Sequence, residues 1–229
     1  MLSPEEWQAV QLSVAVAGRS VLLSLLPAVA VAWLLARGRF PGRFLLDACV
    51  HLPLVVPPVV TGWCLLLLFG VRGPLGAPLL DWFGIRLVFT TNGAALATAV
   101  MSFPLIVRAV RLSLENVDSG LEAAARTLGA RPLDSFLTIT LPLMSPGILA
   151  GAVTAFAAGL GEFGAVITFA SNIPGETQTL PLAIYSATQT PGGEGVAARL
   201  ALVSFALAIA GLLSAEYLGR RMNRALGRD

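Results

Sequence analysis

Lysine is missing from this 229-residue sequence, and all 15 of its basic residues are arginines. A P-loop needs a lysine to reach the nucleotide phosphates, so the chain has no ATP site of that kind. Schiff-base chemistry also requires a lysine amine and is excluded. We therefore expect no catalytic residues and no cofactor here. If the chain transports a solute, another polypeptide or an ion gradient must supply the energy.

Histidine and cysteine are almost as scarce, and the sequence holds only His51, Cys49 and Cys64. The two cysteines share one apolar stretch, which argues against a disulfide framework or a metal site. A single histidine cannot provide the paired ligands of a typical metalloenzyme. An intramembrane enzyme would need a nucleophile with a base, or a set of metal ligands, and these three residues form no recognised spacing of either kind.

Charge of either sign is also sparse. Charged residues make up 12% of the chain, about half of the roughly 25% that is typical of soluble domains. Hydrophobic residues make up 56%, and the mean hydropathy is +0.80. These values predict a polytopic protein embedded in a lipid bilayer. The net charge of +2 does not indicate a nucleic-acid partner, because arginines in a membrane protein mark topology first.

Five apolar segments are long enough to cross a bilayer: residues 12–36, 49–69, 93–110, 143–167 and 196–218. Each holds about 18–25 residues, which suits a hydrocarbon core of about 30 Å at 1.5 Å rise per residue. In lipid they must be helical, because other backbone would leave polar groups unpaired. The opening residues lack the positive region of a cleavable signal peptide, so we expect the first segment to remain. The five spans predict one all-α membrane domain.

The arginines are divided unequally between the two sides of the membrane that these spans define. Arg72, Arg86 and Arg199 lie on one side, and Arg19 lies within the first span. The other side holds Arg37, Arg39, Arg43, Arg108, Arg111, Arg126, Arg131, Arg220, Arg221, Arg224 and Arg228. Arginine-rich loops stay in the cytoplasm, so the N-terminus is predicted outside and the C-terminus inside. The loop between the third and fourth spans then faces the cytoplasm, where an ATPase could touch it.

That loop contains the most distinctive stretch of the chain, EAAARTLGARPLDSFLTITLP over residues 122–142. Ser119 and Glu122 have the spacing of a capping box, which predicts a short alanine-rich helix. Gly129 can end this helix in a left-handed conformation, and Pro132 can begin a second short helix. By its local physics alone, the stretch could equally be an ordinary surface helix-turn between two spans.

The same stretch resembles the coupling loop of type I ABC importer permeases, with the matching residues Glu122, Ala123, Ala124, Gly129, Ile139, Leu141 and Pro142. This resemblance implies that the loop, residues 119–142, docks onto a separate ATPase subunit. The residues expected to make the coupling contact are Glu122, Ala123, Ala124, Arg126, Gly129 and Arg131. Small alanines permit close approach by a groove of the partner, and the charged side chains can pair with it.

Three further stretches, residues 51–63, 101–118 and 161–194, are similar to those of molybdate permeases within this family. The resemblance covers about residues 8–220 and implies the fold of these permeases for that domain. Molybdate is therefore the expected cargo. Sulfate permeases share part of the last stretch, so sulfate, thiosulfate and tungstate are the alternatives. The resemblance implies a homodimer, two cytoplasmic ATPase subunits that bind ATP and Mg, and an extracytoplasmic oxyanion-binding protein. It also implies a location in the bacterial cytoplasmic membrane and a mechanism of alternating access.

The second span contains Pro53, Pro57 and Pro58, which interrupt its helical hydrogen bonds. Within a membrane such breaks are tolerated where the freed carbonyls meet protein or a water-filled cavity, and many transporters place substrate sites at broken helices. With Thr61 and Gly62 one turn further on, this face is predicted to line the translocation pathway. The alternative is a packing kink that makes no substrate contact.

Two charged residues are candidates for the outer part of the pathway. Arg19 lies near the outer end of the first span, where its side chain can reach the interface or attract oxyanions. Glu162 would repel an anion, so we expect it to be a plain interfacial residue or a structural or gating hydrogen-bond partner. Its partner would be Arg19 or backbone amides across the dimer. An ion-coupled secondary transporter would need several buried carboxylates, and Glu162 is the single candidate for such a role.

Two smaller features complete the expectations. Gly147 and Gly151 form a GxxxG pattern in the fourth span, which permits close helix approach either within the subunit or between two copies. Outside the spans, residues 179–189 are predicted to form a short amphipathic helix on the outer side, with Pro181 in its first turn.

Overall fold

The computed structural model describes residues 2–225, and every regular element in that range is a helix. Arg228, one of the arginines that orient the chain, lies outside the described residues. The helices are α1 (Pro4–Arg37), α2 (Arg43–Val55), α3 (Pro58–Phe69), α4 (Gly76–Phe83), α5 (Thr91–Glu115), α6 (Ser119–Thr127), α7 (Pro132–Ser135), α8 (Leu141–Leu160), α9 (Gly164–Phe169), α10 (Leu180–Thr188) and α11 (Glu194–Ala225). A π-helical turn, Phe136–Thr140, joins α7 to α8.

Four helical segments are long and apolar enough to cross a membrane, namely Pro4–Arg37, Thr91–Glu115, Pro132–Leu160 and Glu194–Arg221. The pair α2 and α3 passes the same test together, although the chain bends by 116° between them. With this bent pair as one crossing, the number of spans is the five that the sequence predicts. We call the end of the bundle that carries residues 116–131 the loop end, and the opposite end the far end.

The bent pair runs from one end of the bundle to the other. Its bend coincides with Pro57, because proline lacks a backbone N–H and disfavours helix at the residue before it. At the loop end, Asp47 of α2 lies 3.0 Å from Arg111, near the end of α5. At the far end, Leu66 of α3 packs against the cluster that contains Ala94, near the start of α5. The two halves therefore cross the bundle despite the bend.

Helix α1 starts well before the predicted beginning of the first span at residue 12. The Ser3 hydroxyl accepts a hydrogen bond from the Glu6 amide (3.2 Å), and the Glu6 carboxylate accepts one from the Ser3 amide (2.7 Å). This capping box fixes the helix start in a polar turn that a search for apolar segments passes over. Glu6 also pairs with Arg199 of α11 at 2.7 Å, so the first and last long helices are fastened together at the far end.

The fourth span differs from its prediction at both ends. Its helix begins at Pro132 and continues through the π-helical turn to Leu160, whereas residues 143–167 were expected. The chain then leaves the helix, and Gly164–Phe169 form the separate helix α9. Glu162 explains part of this change, because its carboxylate accepts a hydrogen bond (2.9 Å) from an otherwise unpaired first-turn amide of α9, that of Ala165.

Helices α1, α5 and α8 form the centre of the bundle. Two glycines of α8 face α5 at close range. A Cβ atom at Gly151 would lie 3.1 Å from the Cα of Ile106, and one at Gly147 would collide with Ser113. The GxxxG pattern therefore serves helix packing within the subunit, which is the first of its two predicted uses.

Short helices lie at the far end. Helix α10 (Leu180–Thr188) confirms the short helix predicted for residues 179–189, and Pro181 is in its first turn as expected. Helix α4 (Gly76–Phe83) was not predicted, because eight residues are too few to show a clear hydrophobic period. Its Trp82 and Phe83 side chains are exposed.

Candidate coupling site and translocation pathway

The elbow, as we call residues 119–135, is a helix-turn-helix at the loop end. Helix α6 begins at Ser119, and its N-cap is Asp118, whose carboxylate accepts a hydrogen bond from the Gly120 amide (2.8 Å). The N-cap of this helix is therefore Asp118 and not Ser119, where the predicted capping box placed it. Asp118 takes the capping role, and the Glu122 carboxylate makes its contacts elsewhere.

Gly129 reverses the chain after α6. Its φ is +92°, in the left-handed region that L-residues with a side chain rarely adopt. The Gly129 amide donates to the carbonyl of Arg126 (3.0 Å), and the Ala130 amide donates to the carbonyl of Ala125 (3.0 Å). This pair of bonds is a Schellman motif and confirms the predicted helix end. Pro132 then begins α7, also as predicted.

The Glu122 side chain turns inward rather than toward solvent. Its Oε1 accepts a hydrogen bond from the Thr140 hydroxyl (2.7 Å) and lies 3.5 Å from Nη2 of Arg37. The same Arg37 nitrogen donates to the carbonyl of Val117 (3.2 Å). The elbow is thereby joined to the end of α1 and to the turn that leads into α8.

The sequence analysis does not predict Arg37 or Thr140 as coupling residues. Arg37 was counted only as a topology signal, and Thr140 sits at an unassigned position beside Leu141 and Pro142. One signal in the sequence could have indicated this contact. Glu122 is the single carboxylate in the first turn of α6, and a carboxylate close to the end of a span is expected to pair with a cation. That pairing could have been sought among the arginines that end the spans.

The outer face of the elbow carries the other predicted coupling residues. Ala123, Ala124, Arg126, Gly129 and Arg131 are all exposed. Three large apolar side chains are exposed on the same element, namely those of Leu121, Leu128 and Leu133. Exposed apolar side chains among small and cationic residues are typical of a surface that another protein covers.

The residues predicted for the pathway divide into two groups around the bend. Pro57 and Pro58 are exposed, and Pro53 and Thr61 are half-buried. Gly62 is buried instead, since a Cβ there would lie 2.7 Å from the carbonyl oxygen of Ala165 in α9. Gly62 therefore lies in a helix contact, whereas the two exposed prolines are free to face a pathway.

The same contact is reinforced from the α9 side. A Cβ at Gly164 would lie 2.7 Å from the Cβ of Pro58. Glycine on both helices lets α3 and α9 approach closely, as small residues do in membrane helix pairs. The bend is thus supported by helix α9, which itself results from the early end of the fourth span.

Arg19 and Glu162 do not contact each other. Nη1 of Arg19 donates to the side-chain oxygen of Asn92 (3.0 Å) at the start of α5, and Arg19 is exposed. The Glu162 carboxylate accepts from the amide of Ala165 in its own chain. The predicted partners were Arg19 or backbone amides across the dimer, whereas the carboxylate binds a backbone amide of its own subunit.

Residues 28–224 match the family model described as "Binding-protein-dependent transport system inner membrane component". The chain belongs to this family. The match covers the elbow and every span except the first part of α1. Membership makes the chain a multi-pass membrane permease and not an enzyme. Among residues 2–225, no group of three or more His, Cys, Asp or Glu side chains is placed to hold a metal ion.

Relatives of known description cover the whole chain. The molybdenum transport system permease protein ModB of Escherichia coli K12 is 58% identical over 228 residues, which span 100% of both chains. ModB of Haemophilus influenzae is 55% identical over 97% of each chain. The sulfate transport system permease protein CysW of Synechocystis is 38% identical over 93% of this chain and 76% of its own.

The architecture also matches a solved transporter. A crystal structure of a bacterial alginate ABC transporter, in complex with an alginate pentasaccharide-bound periplasmic protein, superposes with a TM-score of 0.76. The match covers 96% of this chain and 80% of that chain at 16% identity. At this identity the likeness concerns the fold alone, and it is the fold of an ABC importer permease.

Proposed function

We propose that this chain is the membrane-spanning subunit of an ATP-driven importer whose cargo is molybdate. The observation that carries the proposal is the 58% identity to a molybdenum permease over the full length of both chains. The sulfate permease named above is more distant, at 38% identity. Sulfate, thiosulfate and tungstate, which are also tetrahedral oxyanions, are the alternative cargoes.

The proposed assembly contains two copies of this chain, two cytoplasmic ATPase subunits and an extracytoplasmic oxyanion-binding protein. ATP and Mg bind to the ATPase subunits, since this chain has no lysine for a P-loop. The complex of the alginate transporter with its periplasmic protein supports the third partner. The family description, which names an inner membrane component, supports a location in the cytoplasmic membrane. The distribution of arginines supports an orientation with the N-terminus outside and the elbow and C-terminus inside.

Force enters the bundle at the elbow. The ATPase contacts the exposed face that carries Ala123, Ala124, Arg126 and Arg131, and its closure moves α6. Glu122 passes this movement to α1 through Arg37 and to α8 through Thr140. Because α1 and α8 both pack on α5, the central helices move together. Alternation between inward-open and outward-open states follows as a rigid-body transition biased from a remote site.

The pathway passes the bend between α2 and α3. Pro57 and Pro58 are exposed there, and Thr61 offers a hydroxyl on the same helix. Arg19 stands nearer the far end and carries an exposed guanidinium. A path with a single cation and neutral polar groups along it attracts an oxyanion without holding it tightly, and conduction requires release as well as entry. Gly62 supports this path by packing α3 on α9.

Uptake by the reconstituted complex tests the proposal. Proteoliposomes that contain this chain, the ATPase and the binding protein are expected to accumulate radiolabelled molybdate only when ATP is present on the ATPase side. Excess sulfate should compete weakly and tungstate strongly. If sulfate competes as well as unlabelled molybdate, sulfate and not molybdate would be assigned as the cargo. Accumulation driven by a proton gradient without the ATPase would indicate a secondary transporter.

A further inference from the structure

A groove at the loop end is lined in part by Glu122, Arg126 and Thr140 of the proposed coupling site, but the transport cycle proposed above does not use the cavity itself. It encloses about 680 Å³ between α1 and the elbow and is open at the surface of the bundle. Its walls are largely apolar. They include Leu26, Val29 and Trp33 from α1, and Leu133 and Phe136 from the start of the fourth span.

Polar groups gather on the elbow side of this groove. Arg126 lines it, and so does Ser135, a residue only 1% exposed. Within residues 2–225, the Ser135 hydroxyl and Nε of the nearby Arg37 are buried without a hydrogen-bond partner. Glu122 also lines the groove, but its carboxylate is paired with Arg37 and Thr140. The groove therefore offers a net positive charge and an unpaired hydroxyl to a ligand that can accept hydrogen bonds.

The apolar wall has the length of a lipid chain. From Leu26 to Leu34 it follows α1 for about 12 Å at 1.5 Å rise per residue. One leaflet of the hydrocarbon core is about 15 Å deep. The groove lies on the side of a spanning helix, so lipid reaches it laterally. An apolar slot of this length that ends at a cation fits an anionic amphiphile.

We propose that this groove binds an anionic phospholipid. Its phosphate contacts Arg126 and the Ser135 hydroxyl, and one acyl chain lies along Leu26, Val29 and Trp33. Only the choice of leaflet rests on the proposed function: if the elbow is cytoplasmic, the lipid lies in the inner leaflet. The bound lipid fills the space between α1 and the elbow.

Bound lipid can be counted independently of transport. The purified complex is exposed to mixed vesicles of phosphatidylglycerol and phosphatidylcholine, and the retained lipids are identified by native mass spectrometry. We expect wild type to retain phosphatidylglycerol in clear preference. Ala30→Phe places a ring in the groove and should lose the lipid. The matched control Ala210→Phe, on an exposed face of α11, should keep it.

Arg126→Gln provides a second variant at an exposed side chain. Arg126 also lies on the face proposed to contact the ATPase, so this variant is judged by bound lipid and not by uptake. It should lower the preference for phosphatidylglycerol severalfold while apolar contact persists. Equal binding of the two lipids by wild type would overturn the proposal, and so would unchanged retention in Ala30→Phe and Arg126→Gln. Since the readout is bound lipid, a failure of the molybdate or coupling assignment would leave these results unaltered.

Occupation by a second copy of the chain is the competing outcome. It can be tested by placing a cysteine at Ala30 in a chain that also carries Cys49→Ser and Cys64→Ser. A cross-link between the Ala30→Cys positions of two copies, or from Ala30→Cys into the partner copy, would overturn the lipid assignment. We expect the cysteine to react with a lipid-soluble maleimide and to form no such cross-link.

Discussion

At the scale of single residues, the Glu122 carboxylate is the point where the elbow is joined to the spans. It accepts a hydrogen bond from Thr140 at 2.7 Å and pairs with Arg37 at 3.5 Å. A hydrogen bond to a charged group contributes about 1.5–3 kcal/mol, more than a neutral one. These contacts are partly buried, so solvent competes with them less than with the exposed charges on the outer face.

Replacing Glu122 should uncouple the elbow from the spans. We expect Glu122→Ala to reduce molybdate uptake roughly tenfold or more, since about 1.5–3 kcal/mol of connecting interaction is lost. Glu122→Gln, which can still accept from Thr140, should retain part of the activity. The effects of Glu122→Ala and Thr140→Val should not add, because both break the same bond. If the losses of uptake in Glu122→Ala and Thr140→Val add in the double variant, while the protein reaches the membrane in normal amounts, this role is contradicted.

Gly129 matters for its backbone conformation alone. A side chain there meets no atom within 4 Å, so steric crowding is not the reason for a glycine. Gly129→Val should abolish uptake, because a β-branched residue is strongly disfavoured at φ +92°. Gly129→Asn should keep most of it, since asparagine tolerates this region. Uptake is measured for both variants. Gly211→Val, at an uncrowded helical glycine, is the control. Equal activity of the valine and asparagine variants would contradict the argument.

At the scale of elements, the contact between α3 and α9 holds the bent span in place. Gly62 and Gly164 bring the two helices together at the bend, next to the exposed Pro57 and Pro58. Helix α9 is available for this contact because the fourth span ends at Leu160. The geometry of the proposed pathway therefore depends on a helix that is not part of the five crossings.

Adding a methyl group at Gly62 tests this contact. A Cβ there would lie 2.7 Å from the Ala165 carbonyl oxygen and 2.9 Å from the Cβ of Thr168. Overpacking of this kind costs about 1–3 kcal/mol, so Gly62→Ala should lower the unfolding midpoint of the purified protein and reduce uptake. Gly18→Ala, where nothing lies within 4 Å, is the matched control. If Gly62→Ala is as stable and active as that control, the contact does not have this role.

The sequence predicts spans better than it predicts their ends. Long apolar runs identify all five crossings, because lipid imposes a helix on each of them. The capped start of α1 at Ser3 and the early end of α8 at Leu160 escape this signal, since polar caps and glycines set them. Local signals were reliable at Gly129 and Pro181. They failed at Glu122, because its partner Arg37 lies 85 residues away and only the fold brings them together.

At the scale of the whole molecule, polar contacts join the long helices at both ends of the bundle, and the proposal places the input of force at the loop end. Glu122 connects the elbow to α1 and α8, and the Glu6–Arg199 pair joins α1 to α11 at the opposite end. Under the proposed coupling, movement at the elbow would be carried by long helices over the full depth of the bundle. This arrangement suits a subunit that is driven by a partner, and it agrees with the absence of lysine for nucleotide binding in this chain.

Cross-linking from the tip of the elbow tests most directly whether the ATPase drives this bundle there. Leu128, which is 89% exposed, is replaced by cysteine in a chain with Cys49→Ser and Cys64→Ser. We expect Leu128→Cys to cross-link to the ATPase subunit with a yield that changes on ATP trapping, and to resist impermeant maleimides applied outside intact cells. Leu75→Cys at the far end should be labelled by impermeant maleimides from outside and should not cross-link to the ATPase. Labelling of Leu128→Cys from outside, or an active complex in which it never cross-links to the ATPase, would contradict the coupling role.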